Sequence, residues 1–197
     1  MTDRFRDPAG LDEWLAGLDQ RWPARAQVID HLVEQVRALN PTDPKVVELA
    51  AGAGNLGAAL LEALPQASYT AVDFSAPLLE RAQARLNTYQ QVQLVQADLN
   101  EDEWLKKITA PVDAVLSLQA LHDLGDEPQV ERIYRLAHGL LRPGGLLINA
   151  DLLHNPEDPR PGRLSTERHL ELMRHHGYGD ASCTLATGGF GCCVGVV

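Results

Sequence analysis

The sequence predicts an α/β protein: a parallel sheet with helices on both faces, finished by an antiparallel hairpin. Three observations carry this expectation. From Lys45 onward, short β-branched runs alternate with runs of helical apolar spacing, and such alternation builds parallel sheets because each crossover helix returns the chain to the same edge. A glycine-rich turn, Gly52-Ala53-Gly54-Asn55-Leu56-Gly57, joins the first extended run to the first of these helices. Near the end, two extended runs are separated only by Thr187-Gly188-Gly189, which leaves no room for a crossover helix and forces antiparallel pairing.

The elements follow in order. Apolar residues at helical spacing (Leu11, Trp14, Leu15, Leu18, then Val28, Leu32, Val33, Val36, Leu39) predict a helical pair broken at Trp22-Pro23 and stopped by Asn40-Pro41-Thr42-Asp43-Pro44. Lys45 to Leu49 reads as a strand, Asn55 to Leu64 as a helix, Tyr69 to Val72 as a strand, Pro77 to Leu86 as a helix and Val92 to Val95 as a strand. A weaker helix around Trp104 leads to strand Val112 to Leu116. Helix Glu127 to Leu141 is closed by Arg142-Pro143-Gly144-Gly145 before strand Leu146 to Ala150. Thr166 to His176 is a helix capped by Gly177, and Ala181 to Ala186 pairs with Cys192 to Val197. No repeat or linker interrupts the 197 residues, which are expected to form one domain: residues 1–42 as an N-terminal helical cap and 45–197 as the core.

Composition excludes several classes. With 45% hydrophobic and 22% charged residues, the chain can bury a full core without disulfides or a structural metal. Cys183, Cys192 and Cys193 form neither a disulfide framework nor a spaced metal site, which fits a reducing cytoplasm and no metal. The net charge of −10, with only three lysines, offers no basic tract for a phosphate backbone, so no DNA partner is expected. The polar start, Met1 to Asp12, is not a signal peptide, and no apolar run is long enough for a membrane span.

The turn Gly52, Gly54, Gly57 fits the G-x-G-x-x-G pattern, in which glycine lets the backbone approach a ligand and the following helix N-terminus offers free N–H groups. Three readings compete: a dinucleotide pyrophosphate site, an S-adenosylmethionine (AdoMet) turn, and a purely structural bend. Asp73, ending the second strand, can accept ribose hydroxyls in either ligand reading. Phe74 can lie against adenine or simply fill core. Asp98, after the third strand, can receive the adenine amino group or cap the next turn. Glu48 separates the cofactors, since a carboxylate before the turn repels a pyrophosphate but attracts the ammonium of a methionine moiety. The chain length leaves no second domain for a nicotinamide enzyme of the usual type, and the antiparallel hairpin is foreign to a purely parallel dinucleotide sheet.

The sequence resembles the class I AdoMet-dependent methyltransferases, small-molecule type, from about Lys45 to Val197. The resemblance is carried in order by Val47-Glu48-Leu49-Ala50-Ala51-Gly52-Ala53-Gly54, Ala71-Val72-Asp73-Phe74-Ser75, Gln96-Ala97-Asp98-Leu99, Asp113-Ala114-Val115-Leu116-Ser117 and Leu141-Arg142-Pro143-Gly144-Gly145. It implies a Rossmann-like seven-stranded sheet of order 3-2-1-4-5-7-6 with strand seven antiparallel. It also implies that Ala51, Gly52, Ala53 and Gly54 hold the methionine part, Asp73 the ribose, and Asp98 with the Leu99 amide the adenine; Glu48, Asn55 and Phe74 are expected beside them as further cofactor contacts. Ser117 and Gln119 would border the methyl group, and S-adenosyl-L-homocysteine (AdoHcy) would be the product. Ala50 stands where the family often has the first glycine, which is tolerable if Ala50 keeps an extended backbone.

Methyl transfer from a sulfonium is an in-line displacement, so alignment dominates, and a base is needed only for a protonated acceptor. His122 is the candidate base, oriented by neighbouring Asp123; the alternatives are a plain loop histidine and a helix-capping Asp123. His154 is a second candidate. His31, His138, His169, His175 and His176 fall in helical stretches and read as surface or packing residues. The insertion after the fifth strand is only about a dozen residues, so cover over the site is expected mainly from Leu11 to Leu39, with Phe5, Trp14 and Trp22 lining an acceptor pocket or merely packing. An open site suits a bulky acceptor or completion by a second subunit in a homodimer. Small-molecule O- or N-methylation leads; a protein or RNA acceptor, a non-catalytic AdoMet-binding module and nicotinamide-dependent oxidoreduction remain open.

Overall fold

A computed structural model describes Phe5, residues 10–40 and residues 42–197; of the expected cap, residues 1–4, 6–9 and 41 lie outside the described residues. The element order is α1 (Leu11–Ala16), α2 (Leu18–Arg21), α3 (Arg25–Ala38), β1 (Lys45–Leu49), α4 (Asn55–Ala63), β2 (Ser68–Asp73), α5 (Ala76–Leu86) and β3 (Val92–Gln96). It continues with a 3₁₀ turn at Glu103–Lys107, β4 (Val112–Leu118), a second 3₁₀ turn at Leu121–Asp123, α6 (Glu127–Leu140), β5 (Leu141–Leu152), α7 (Thr166–His175), β6 (Asp180–Thr187) and β7 (Phe190–Val196). The seven strands form one sheet in the order β3-β2-β1-β4-β5-β7-β6, with β7 antiparallel to both neighbours, as expected.

Strand period two sorts the side chains between two cores. In β1, Val46 faces the core shared with α3 and α4, while Val47 and Leu49 face the core shared with α6 and α7. Both faces being covered explains why β1 and β4 are nearly continuous apolar runs rather than alternating ones. Caps fix the helix starts: Ser75 Oγ accepts from Leu78 N at 3.2 Å, Gln129 Oε1 accepts from Asp126 N at 3.0 Å, and Ser165 Oγ accepts from Arg168 N at 3.2 Å.

Two expectations need correction. The first N-terminal helix is split at Gly17 into α1 and α2, because a glycine there loses helix stability that the short amphipathic run cannot replace. The segment Arg142-Pro143-Gly144-Gly145 is not a loop between helix and strand. β5 begins at Leu141 opposite Val112, and a bulge absorbs the extra residues before Ala114 pairs with Leu146. Contacts hold this bulge inside the sheet: Arg142 Nε donates to Asp113 Oδ1 at 2.6 Å, and Gly144 N donates to the Val197 carbonyl at 2.6 Å.

Candidate active site

The C-terminal ends of β1, β2, β4 and β5 converge on a cavity of about 350 Å³, within the size range of small-ligand pockets. Parallel strands cause this convergence, since every strand end on that edge delivers its next residue to the same side of the sheet. The turn after β1 supplies Ala50 to Ala53 and α4 supplies Asn55; Asp73 ends β2 and Phe74 follows it; Gln119, His122 and Asp123 follow β4. Helices α1 to α3 roof it with Trp14, Leu15, Leu18, Arg21, Trp22 and Arg25, and Phe5 stacks edge-on to Trp14 at 5.0 Å.

Ala50 corrects the expectation of an extended backbone: its φ is +55°, the left-handed region, followed by Gly52 at +57° and Gly54 at +76°. A non-glycine residue there carries strain of about 1 kcal/mol, which the surrounding turn must hold in place. Gly57 has a different reason to be glycine. A Cβ there would lie 2.5 Å from the Tyr69 hydroxyl, which donates a hydrogen bond to Glu48 Oε2.

Glu48 is 2% exposed, and its carboxyl also receives the Gly57 backbone N–H. Burial pushes its pKa up to about 8 against the opposing hydrogen bonds and the Arg25 charge. Arg25 on α3 is lowered by the same desolvation and supported by Glu48, and its Nε has no protein partner. Asp73 accepts Gly52 N at 2.8 Å and Ser75 N at 2.9 Å. Desolvation nevertheless raises its pKa above the ordinary carboxylate value. With the Phe74 N–H also directed at it, the carboxylate still keeps acceptor capacity for a further donor.

His122 is held by a residue the sequence reading missed. Its Nδ1 lies 2.5 Å from Asp151 Oδ1 and its backbone N donates to Asp151 Oδ2 at 2.9 Å, while Asp123 Oδ2 is 3.7 Å from Nε2. Orientation of the ring therefore falls to Asp151, not Asp123. Burial alone would lower the His122 pKa, but the charge and hydrogen bond of Asp151 overcome it and the net shift is upward; Arg163 opposes. The available signal was that Asp151, like Asp73 and Asp98, is an acid at the C-terminal end of a strand.

Several expected residues stand off the cavity wall. Gly54 packs against Ala82 of α5, Leu99 is buried in the core with Trp104, and Ser117 is fully enclosed within β4. Asp98 turns toward its own backbone, accepting Asn100 N at 2.9 Å. His154 is exposed and away from the cavity, so it is not a second base there. The short insertion contributes more cover than expected: Arg160 and Arg163 both line the cavity. Among the described residues, no helix is long and apolar enough to cross a membrane.

Comparison with known proteins agrees with this architecture. The methyltransferase-domain family matches residues 47–147. An uncharacterized methyltransferase of Oceanobacillus iheyensis is 25% identical over 179 residues, 90% of this chain and 76% of the relative. The carboxy-S-adenosyl-L-methionine synthase of Aeromonas salmonicida is 33% identical over 120 residues, 59% of this chain and 45% of its own length, so this chain spans under half of that relative. Among solved structures, the DhpI–SAH complex superposes with a TM-score of 0.72 at 21% identity, covering 95% of this chain and 91% of that one. With the family matching more than half of the chain and the sheet running β3-β2-β1-β4-β5-β7-β6, the chain belongs to the class I methyltransferases, whose cofactor is S-adenosyl-L-methionine.

Proposed function

We propose that this protein transfers the AdoMet methyl group to an oxygen or nitrogen nucleophile of a small molecule. The observation that carries this reading is that the glycine turn and His122, backed by buried Asp151, meet at one cavity roofed by aromatic side chains. The residues present fit the cofactor. Glu48 lines the cavity and would meet an ammonium, Arg25 beside it has an unpartnered Nε suited to a carboxylate, and Asp73 would take ribose hydroxyls. Gln119 brings a buried Oε1 without a protein partner to the same wall.

When bound, AdoMet supplies an electrophilic methyl on a sulfonium that leaves with the bonding electron pair. The protein's own work is alignment and proton handling. Asp151 accepts the Nδ1 proton of His122, which leaves Nε2 as the basic atom. Nε2 takes the acceptor's proton as the new bond to carbon forms, and Asp151 stabilises the resulting imidazolium. The aromatic roof of Phe5, Trp14 and Trp22 narrows the cavity, which favours a small-molecule acceptor over a protein or RNA chain. A cytoplasmic location rests on the free cysteines, Cys192 and Cys193 being buried in β7.

Calorimetry with AdoMet and AdoHcy tests the cofactor, with Asp73→Asn compared at matched folded fraction. Absence of heat with the parent protein, or equal affinity in the variant, overturns the assignment. Transfer of label from methyl-labelled AdoMet to a small-molecule fraction supports the acceptor class; label appearing only on protein or RNA refutes it.

A further inference from the structure

Arg163 is 9% exposed, yet its protein partners are incomplete. Its Nη1 donates to Asp158 Oδ2 at 3.1 Å, and its Nε has none. Asp158 is shared, taking Arg160 Nε at 3.2 Å on the same oxygen, and its side chain is 53% exposed. One solvated carboxylate between two guanidiniums leaves the more buried of them under-compensated, and a buried charge without a matched buried partner is costly. Both arginines line the cavity next to His122, and Arg163 is close enough for its charge to oppose protonation of that ring.

The backbone fixes this placement. A Cβ on Gly162 would come within 2.2 Å of the His122 carbonyl oxygen and 2.6 Å of the Gly125 carbonyl oxygen, so the segment lies directly against the His122 turn. Arg163 N closes a tight turn onto the Arg160 carbonyl at 2.9 Å, which carries both side chains on one short bend. The acids facing this corner are Asp123, 3.7 Å from His122 Nε2, and Asp151, which already accepts from His122 and from the Leu152 N–H at 2.8 Å.

Building on the methyltransferase reading above, we propose that Arg163 and Arg160 form an oxyanion subsite beside His122, and that the acceptor is a small molecule carrying a carboxylate or phosphoryl group. A planar guanidinium meets such groups through paired N–H donors, and the free Nε of Arg163 is one donor the protein leaves unused. Arg25 is set apart from this role by its place beside Glu48, at the methionine end of the cavity.

The test titrates AdoHcy-loaded protein with benzoate, inorganic phosphate and, as a neutral control, benzamide, at constant ionic strength. Benzoate or phosphate is expected to bind at least about tenfold more tightly than benzamide, and the preferred anion identifies the acceptor's acidic group. Arg160→Gln, at an exposed position, and Arg163→Gln are each expected to weaken the anion about fivefold or more, with partial recovery in Arg163→Lys and AdoHcy affinity held within about twofold. Binding of neither anion, or equal binding in both glutamine variants, overturns the proposal. If AdoHcy itself fails to bind, the methyltransferase reading falls separately, and the same anion titration of the ligand-free protein still decides the arginine subsite.

Discussion

His122 Nδ1 and Asp151 Oδ1 lie 2.5 Å apart, with both side chains almost fully buried, although the two residues arrive from different strands. β4 and β5 are adjacent and parallel, so the turn after one and the last residues of the other meet at the same edge. Asp151 raises the His122 pKa, and a base must be deprotonated to act. Activity on a hydroxyl acceptor should therefore rise with pH through a value above the ordinary histidine range of about 6.5. Asp151→Asn is expected to move that limb to lower pH and cut kcat/KM roughly 10- to 1000-fold, read from a pH–rate profile. A profile that keeps its limb in the variant would remove Asp151 from the proton path.

The same pair links folding to pH. Because the folded-state pKa of His122 is raised, its stabilisation is complete below about 6.5 and is lost as pH rises through the folded value. Thermal melts from pH 5.5 to 8.5 should show this loss in the parent and a flatter dependence in Asp151→Asn.

Burial pushes the Glu48 pKa up to about 8 against an ordinary 4.5, which keeps the carboxyl mostly protonated near pH 7 before a ligand binds. An incoming ammonium favours the carboxylate, so AdoMet binding at pH 7 should release up to about one proton, visible as a dependence of calorimetric heat on buffer ionisation enthalpy. Stability carried by the protonated form is present below pH 4.5 and is lost as pH rises through about 8. Glu48→Gln keeps an acceptor for Tyr69 and should raise the melting temperature at pH 8.5 by roughly 2–8 °C while weakening AdoMet.

Gly57→Ala drives a methyl into the Tyr69 hydroxyl, 2.5 Å from where the new carbon would sit. The expected cost is about 1–3 kcal/mol in chemical denaturation, together with weaker AdoMet binding because the Tyr69–Glu48 bond must shift. Unchanged stability would show that Tyr69 moves freely.

Ala50→Gly relieves a left-handed alanine at φ +55°. The gain of about 1 kcal/mol from removing strain is partly offset by the greater flexibility of glycine in the unfolded chain, so a rise of roughly 1–3 °C in melting temperature is expected. A fall would mean that the Ala50 methyl contributes more by packing than it costs in strain.

Sequence alone was enough to determine the order of strands and helices, the glycine turn, the closing hairpin, the placement of Glu48 and Asp73 at strand ends and that of His122 in the turn after β4. Those features are local: hydrophobic period, turn chemistry and residue spacing are written into neighbouring positions. It did not determine the Ala50 conformation, because a single φ in a tight turn is imposed by contacts on both sides. Nor did it show that Arg142 to Gly145 is a bulge, since bulges arise from pairing with a distant strand. The His122–Asp151 pair, the Tyr69–Glu48 bond and the arrival of Arg25, Arg160 and Arg163 at one cavity join residues far apart in the chain. Only the packed tertiary structure decided these, because side-chain proximity across a sheet depends on how strands are ordered and which faces they bury. The glycine turn and Asp73 were thus largely written in local sequence, while the His122–Asp151 pair and the place of Arg160 and Arg163 on the cavity were created by folding.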